Sequence, residues 1–288
     1  MGKMAFDLSG KTAVVTGGGG VLCSGFSKTL AEAGAKVAVC DLRLEAAEKV
    51  AAEIRESGGE AMAVEMNVLD KASVEAACAK ILEKYGAVDI LLNGAGGNNP
   101  KGTTTRDNLT PEEVEALDAD GTIEGVKTFF DLDPAGISFV FNLNFLGTLI
   151  PTQVFARGMA KTGGTIINVS SMNAFRPLTR IPAYSGAKAA VSNFTQWLAV
   201  HFAPVGIRVN AIAPGFFLTD QNRTLLTNPD GSLTPRADKI ISHTPMSRFG
   251  VPADLDGTLL WLADRDFSAF VDGVVIPVDG GFAAYSGV

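Results

Sequence analysis

The chain has 288 residues, 47% of them hydrophobic and 32 of them glycine, enough for one large domain with a buried core. A net charge of −7 and the lack of a basic run exclude a nucleic-acid-binding class, so we expect no nucleic-acid partner. The three cysteines have no metal-ligand spacing, so we expect reduced thiols and no metal. With no run of about 20 apolar residues and no signal-peptide core, we expect a cytoplasmic protein without a membrane partner.

A short nucleotide-binding pattern opens the chain. A strand predicted over 12–16 runs into four glycines at 17–20, a helix follows over 24–33, and a second strand over 36–40 ends at Asp41. Glycines let backbone N–H groups approach a pyrophosphate, and a helix N-terminus favours its negative charge. The pattern predicts cofactor contacts along the turn, from Gly17, Gly19, Gly20, Val21 and Leu22.

The acid that ends the second strand selects between the two nicotinamide cofactors. Asp41 would accept hydrogen bonds from ribose hydroxyls and repel a 2′-phosphate, which favours NAD over NADP. Arg43, two residues later, is the one feature that could weaken this preference.

The alternation continues with helices over 44–57 and 71–84 and strands over 61–65 and 88–92. It predicts an α/β fold, a doubly wound Rossmann-type parallel sheet with helices on both faces. Short polar or glycine residues at the strand ends would let adenine and ribose lie against the backbone, although ordinary turns explain each equally well. The candidate cofactor contacts at these strand ends are Asn67, Val68, Asn93 and Ala95.

A strand over 165–169 ends in a serine pair, and a helix over 183–202 places Tyr184 and Lys188 one turn apart. An ammonium about 4 Å from the phenol would contribute roughly 4 kcal/mol at an effective dielectric near 20. We therefore expect the tyrosine pKa to be lowered by about one or two units. Such a tyrosine could exchange a proton with an alcohol or carbonyl oxygen, held by Ser171. Any long helix can contain this tyrosine–lysine spacing by chance, so the spacing indicates a catalytic role only together with the neighbouring motifs.

Taken together, these motifs resemble the short-chain dehydrogenase/reductase family over residues 8–281. The sequence departs from the family pattern in two places, because the later glycines of the turn fall on Val21 and Cys23 and the usual aspartate after the third strand is Asn67. The motifs that carry the resemblance are Thr16 with Gly17, Asn93 to Gly96, the Ser171, Tyr184 and Lys188 set, Pro214 with Gly215, and residues 278–281.

The resemblance implies a single NAD-binding Rossmann-fold domain over 1–288, in a homotetramer. It also implies that Asn144 is a fourth catalytic residue, which binds a water that carries protons away from Lys188. Further implied cofactor contacts, besides Tyr184 and Lys188, are Pro214, Gly215, Phe217 and Thr219.

Two segments exceed a minimal member of the family. An insertion at about 98–136 contains a capped helix start at 110–113 and could shape substrate binding, form an oligomer contact or be exposed decoration. The segment at about 216–250 is interpreted as a small helical lid over the substrate. Asn98 and Arg223 are candidate substrate ligands in these segments. The apolar tail at 282–288 is expected to pack across a subunit boundary.

The loop between Ser171 and Tyr184 carries polar donors, including Asn173 and Arg180 as candidate substrate ligands. These donors suit a polyhydroxy acid, and Arg180 would bind its carboxylate. Details of the turn and loops resemble the D-mannonate oxidoreductase branch of the family, which implies reduction of D-fructuronate by NADH. The alternatives are a gluconate 5-dehydrogenase-like enzyme or other keto-sugar-acid or polyol reductase, less favourably an acyl-carrier-protein reductase, and a non-catalytic NAD-binding sensor.

Overall fold

The computed structural model describes residues 5–117, 123–219 and 226–287. Seven strands form one parallel sheet in the order β3-β2-β1-β4-β5-β6-β7, which confirms the predicted fold class. Strand order reverses between β1 and β4, and in such sheets ligands bind outside the carboxyl ends at this point. The strands are β1 (Thr12–Thr16), β2 (Lys36–Asp41), β3 (Glu60–Glu65), β4 (Ile90–Asn93), β5 (Gly164–Val169), β6 (Ile207–Pro214) and β7 (Val275–Val278).

The helices cover both faces of the sheet, and short ones also lie in the segments predicted to be an insertion and a lid. The insertion's short helix begins with the predicted capping box, in which Thr110 and Glu113 bond each other's backbone N–H groups. The helices are α1 (Val21–Glu32), α2 (Leu44–Glu56), α3 (Lys71–Tyr85), α4 (Pro111–Glu115), α5 (Pro134–Phe141), α6 (Gly147–Met159), α7 (Pro182–Phe202), α8 (Pro235–Ser242), α9 (Asp256–Ala263) and α10 (Arg265–Ser268).

Two helical segments differ most clearly from the sequence pattern. The apolar pattern over 136–162 predicts one continuous helix, but a π-helical turn, Asn142–Leu146, divides it into α5 and α6. Helix α1 begins at Val21 rather than at residue 24, so the glycine turn leads directly into the helix.

Successive strand residues point to opposite faces of the sheet and so build two hydrophobic layers. Leu92 and Ile167 face the layer formed with α1, α2 and α9. Leu91 and Ile166, one position earlier, face the layer formed with α3, α6 and α7. Both layers are closed by large aliphatic and aromatic side chains, so the strand ends that carry the site rest on a rigid core.

The helical segment Pro134–Met159 is long and apolar enough to cross a membrane by length and composition alone. Half of its most apolar window is buried inside the fold, and Phe155 and Met159 belong to the core layer under α6. The sequence analysis found no such run. Core packing explains why this segment is apolar, because a buried core helix meets the same criteria of length and composition as a membrane-spanning one.

We expect Ile167→Ala to lower the free energy of unfolding by about 2–5 kcal/mol, because Ile167 is fully buried in a central strand and its truncation leaves a cavity. Urea unfolding measures the change. The control Leu82→Ala, at an exposed position of α3, should change stability by less than about 1 kcal/mol. Equal effects of the two substitutions would contradict the assignment of Ile167 to the core.

Candidate active site

The carboxyl end of β5 and the first turns of α7 bring the predicted catalytic residues together. The Lys188 ammonium, with 4% of the residue exposed, donates a hydrogen bond to the Val169 carbonyl at 2.7 Å. The Ser171 hydroxyl lies near enough to the Tyr184 phenol to lower its pKa, against the effect of burial. Lys188 Nζ lies 5.7 Å from the centre of the Tyr184 ring. Serine, tyrosine and lysine therefore form one contiguous group at the edge of the sheet.

The acid–base properties of this group differ from the sequence prediction. Burial raises the pKa of the Tyr184 phenol, while the nearby Ser171 hydroxyl acts in the opposite direction. Burial also lowers the pKa of Lys188 to about 8. The expected lowering of the tyrosine pKa is therefore wrong for this chain's own residues, because the ammonium donates to the Val169 carbonyl and the cost of desolvating the phenolate dominates.

Asn144 lies in the π-helical turn and is fully buried. Its amide donates to the Gly97 carbonyl at 2.7 Å and to the Val140 carbonyl at 2.8 Å, and its oxygen accepts from the Gly97 N–H at 3.3 Å. A Cβ at Gly96 would come within 2.6 Å of that oxygen and 3.2 Å of Lys188 Nζ. The backbone after β4 thus packs directly against Asn144 and Lys188, and π-helical turns of this kind often occur at functional sites.

The glycine turn after β1 has the features of a pyrophosphate site. Gly17 has a positive φ of 65° and lies so close to Ala95 that a Cβ would come within 2.9 Å of its Cα. Gly20 precedes α1 without a side-chain cap, and the first turn of α1 contains no acidic residue. The first N–H groups of α1, at Val21 and Leu22, have no intrahelical partner and carry the positive end of the helix dipole. This turn fits the negative charge of a dinucleotide.

Asp41 ends β2 beside the glycine turn. One carboxylate oxygen accepts from the Gly19 N–H at 3.1 Å, and the other accepts from the Arg43 N–H at 3.0 Å. The carboxylate is half-buried and holds the turn while leaving acceptor capacity for ribose hydroxyls.

The amide side chains predicted at two strand ends are engaged within the fold. The Asn93 amide donates to Thr152 and Asn168, both at 2.9 Å, in the interior between β4, β5 and α6. The Asn67 side-chain oxygen accepts from the Leu69 N–H at 3.0 Å. Cofactor contacts by Asn67, by the buried Val68 and by Asn93 stay predictions, and the structure favours backbone groups for the Asn93 contact.

The carboxyl end of β6 leads into the lid. The Gly215 N–H donates to the Val278 carbonyl at 2.9 Å, and the buried Phe217 ring packs against Gly250. Thr219 is half-buried, and Arg223 lies outside the described residues. The described part of the segment predicted to be a lid has its own apolar cluster, which joins Leu226, Ala237, Ile240 and Phe249 to Phe216, Leu218, Leu233 and Ile241.

A cleft of about 410 Å³ lies between the base of the lid and β7, beside Phe216, Arg248 and Asp279 rather than at Tyr184. The first part of the C-terminal tail covers this region of its own chain, because Phe282 packs edge-on against Phe216 with ring centres 5.3 Å apart. Packing of the rest of the tail across a subunit boundary stays a prediction.

The predicted substrate ligands differ in their surroundings. Asn173 is buried, and its backbone N–H donates to the Ser171 hydroxyl at 3.3 Å. Asn98 is exposed and donates to the Thr103 hydroxyl at 3.0 Å. Arg180, however, is paired within the protein, since its Nε lies 2.6 Å from a carboxylate oxygen of Asp107.

Sequence reasoning missed Asp107 and Lys239, which meet at this same place. Lys239 Nζ on α8 lies 2.6 Å from the second carboxylate oxygen of Asp107. Asp107 is 73 residues from Arg180 and 132 from Lys239, and it belongs to no motif, so no local signal in the sequence could have indicated the cluster.

Within the described ranges, no group of three or more histidine, cysteine, aspartate or glutamate side chains could hold a metal ion. The glycine turn, the acid after β2 and the serine–tyrosine–lysine group define a dinucleotide-dependent oxidoreductase. The family model of the short chain dehydrogenases matches residues 11–230. The chain belongs to this family and is an NAD-dependent oxidoreductase that acts on CH–OH groups.

Three similar proteins span nearly the whole chain. An uncharacterised oxidoreductase of Haemophilus influenzae is 58% identical, with 98% of this chain and 96% of the relative covered. An uncharacterised oxidoreductase of Bacillus subtilis is 53% identical, with 98% of each chain covered. A crystal structure from Haemophilus influenzae with bound NAD, of a protein provisionally assigned as a D-mannonate oxidoreductase, has 55% identity and a TM-score of 0.91, with 98% of each chain covered.

We expect Tyr184→Phe to lower turnover by at least about 100-fold, because general acid–base catalysis typically contributes that much or more. NADH binding, measured by the quenching or enhancement of its fluorescence, should be preserved because the ring is retained. Turnover close to that of the unaltered protein would remove Tyr184 from the proton-transfer step.

Proposed function

We propose that the protein interconverts a sugar-acid ketone and its secondary alcohol with NAD(H), and that the reaction is D-fructuronate with NADH to D-mannonate with NAD. The observation that carries the proposal is a cationic cluster, Arg180 and Lys239 around Asp107, at the segment that leads into the Tyr184 helix. Similarity to the Haemophilus protein assigned as a D-mannonate oxidoreductase supports the same substrate.

The proposed roles follow from the geometry of the site. Tyr184 donates the proton to the ketone oxygen, and because burial raises its pKa the phenol is protonated at neutral pH, as a general acid must be. Ser171 lies beside the phenol, where its hydroxyl would orient the substrate oxygen. Lys188, which donates to the Val169 carbonyl, would also bind the cofactor ribose. Asn144, which donates to the Gly97 carbonyl, would hold the water of the proton relay. Bound NADH supplies the hydride.

The charge of the cluster supports an acid substrate. Arg180 and Lys239 are two cations that share one carboxylate, which leaves one net positive charge for a substrate carboxylate. The polar side chains of Asn98 and Asn173 would bind sugar hydroxyls, and the lid at 216–250 would exclude water when it closes. An acyl or steroid substrate would favour apolar residues at these positions.

The proposal includes a cytoplasmic location and a homotetramer. Self-association is supported by an exposed apolar face on α7, where Trp197 and Val200 are accessible and Trp197 stacks on His201 with ring centres 4.6 Å apart.

Two alternative functions belong to different classes, another reductase and a non-catalytic binding protein. A gluconate 5-dehydrogenase-like or other keto-sugar-acid reductase would use the same machinery with another acid. A non-catalytic NAD sensor is favoured only by the residues at the family's glycine positions, where Val21 begins α1 and the buried Cys23 follows. The assembled serine, tyrosine, lysine and asparagine set argues against the sensor, since cofactor binding alone does not require it.

The substrate assignment, which similarity to the protein provisionally assigned as a D-mannonate oxidoreductase supports, predicts that NADH oxidation is strong with D-fructuronate and weaker with D-tagaturonate and 5-ketogluconate. NADPH should be oxidised much more slowly, because Asp41 repels a 2′-phosphate. Absorbance at the NADH band follows each reaction. Bound but unoxidised NADH with every ketone would favour the sensor, and a preference for another acid would favour the second reductase.

Arg180→Met should raise KM for a keto acid by about 10- to 100-fold, since a charge-assisted bond to a carboxylate contributes roughly 1.5–3 kcal/mol. KM for a neutral ketose of the same size should change much less. Steady-state kinetics on both substrates tests the difference. The same increase for both substrates would mean that Arg180 does not bind the carboxylate.

A further inference from the structure

Three separate segments of the chain meet at the Asp107 carboxylate. Asp107 belongs to the insertion, Thr179 and Arg180 to the loop before α7, and Lys239 to the lid helix α8. The carboxylate accepts from Arg180 Nε at 2.6 Å, from Lys239 Nζ at 2.6 Å and from the Thr179 hydroxyl at 3.2 Å. These three donors hold the pKa of Asp107 well below its usual range, so the carboxylate is ionised at neutral pH.

The insertion holds the loop through its backbone as well. The Thr104 N–H donates to the Arg180 carbonyl at 3.0 Å, three residues before the aspartate. Ile181 follows Arg180 and is the cap residue of α7, the helix that carries Tyr184. The insertion itself is closed by Thr105 and Lys127, whose backbone and side-chain groups bond each other. Asp107 therefore lies in a hydrogen-bonded part of the insertion, next to the start of α7.

Helix α8 has a different relation to the rest of the fold. Its apolar side, Ala237 and Ile240, packs in the lid's own cluster rather than in either layer of the sheet. On its other side Lys239 is largely exposed and extends to Asp107. The ion pair between Lys239 and Asp107 thus connects a helix that is packed mainly within the lid to the insertion, next to the start of α7.

We propose that Asp107 is a positioning residue that holds the lid helix α8 against the loop before Tyr184 and orients Arg180 at the same time. One carboxylate performs both tasks because its two oxygens bind different cations. Closure of the lid is thereby coupled to the placement of the arginine. The kinetic part of this inference rests on the proposed function, whereas the part that concerns the lid helix does not.

A competing role for Asp107 makes the opposite kinetic prediction. If the carboxylate only neutralised Arg180 and competed with substrate, its removal would free the arginine and lower KM for a keto acid. If it positions the lid helix and Arg180, its removal raises KM for a neutral ketone and raises KM for a keto acid at least as much. The direction of the change in KM decides between these roles.

The test uses Asp107→Asn and Lys239→Met in the full-length protein. Amide hydrogen exchange of residues 236–242, measured without substrate, should accelerate by about two- to fivefold in both variants, the range expected for an exposed ion pair. The double variant should exchange no faster than Asp107→Asn alone, because both changes break the same link. KM for the ketone should rise by a similar factor, with the Kd for NADH unchanged.

Glu53→Gln is the matched control, because it removes one charge and one exposed ion pair, with Lys28, on α1 and α2. It should leave both the exchange of α8 and KM unchanged. Unaltered exchange of α8 in Lys239→Met, additive effects in the double variant, or a lower KM in Asp107→Asn would each overturn the proposal. If no ketone is a substrate, the exchange measurements still decide the role of Asp107, so failure of the proposed function is separately visible.

Discussion

The arrangement of the active site depends on the hydrogen bond from the buried Lys188 ammonium to the Val169 carbonyl. A charged group removed from water requires a partner, and the Val169 carbonyl at the end of β5 supplies it at 2.7 Å. This bond joins α7 to the end of β5, and Tyr184 lies one turn earlier on the same helix. The lowered pKa of Lys188 has the same cause, since burial disfavours its charged form.

The cofactor turn and the catalytic group share the short backbone segment after β4. The Thr16 hydroxyl accepts from the N–H groups of Gly94 and Ala95 at 3.0 and 3.1 Å, which ties this segment to the glycine turn. Two residues later, Gly97 is bonded to Asn144 through both its N–H and its carbonyl. Side chains along this segment would separate the two halves of the site, so close backbone approach is what joins them.

Much of this organisation was predictable because it depends on local patterns. The alternation of strands and helices, the glycine turn with Asp41, and the spacing of Tyr184 and Lys188 all follow from periodicities that neighbouring residues share. The π-helical turn at Asn144 was not predicted, because apolar periodicity continues through it. The direction of the Tyr184 pKa shift was predicted wrongly, because charge proximity was considered without the competing carbonyl and the desolvation of the phenol.

The sequence by itself determined the order of the elements, and it predicted the nucleotide-binding turn and the catalytic serine, tyrosine and lysine, because each depends on residues that lie close together along the chain. Only the tertiary structure decided that Arg180 and Lys239 share Asp107, across separations of 73 and 132 residues. It also decided that the Asn93 amide bonds inside the core. Partners of polar side chains are chosen by which groups folding brings within hydrogen-bond distance, and that choice is not encoded in any local pattern.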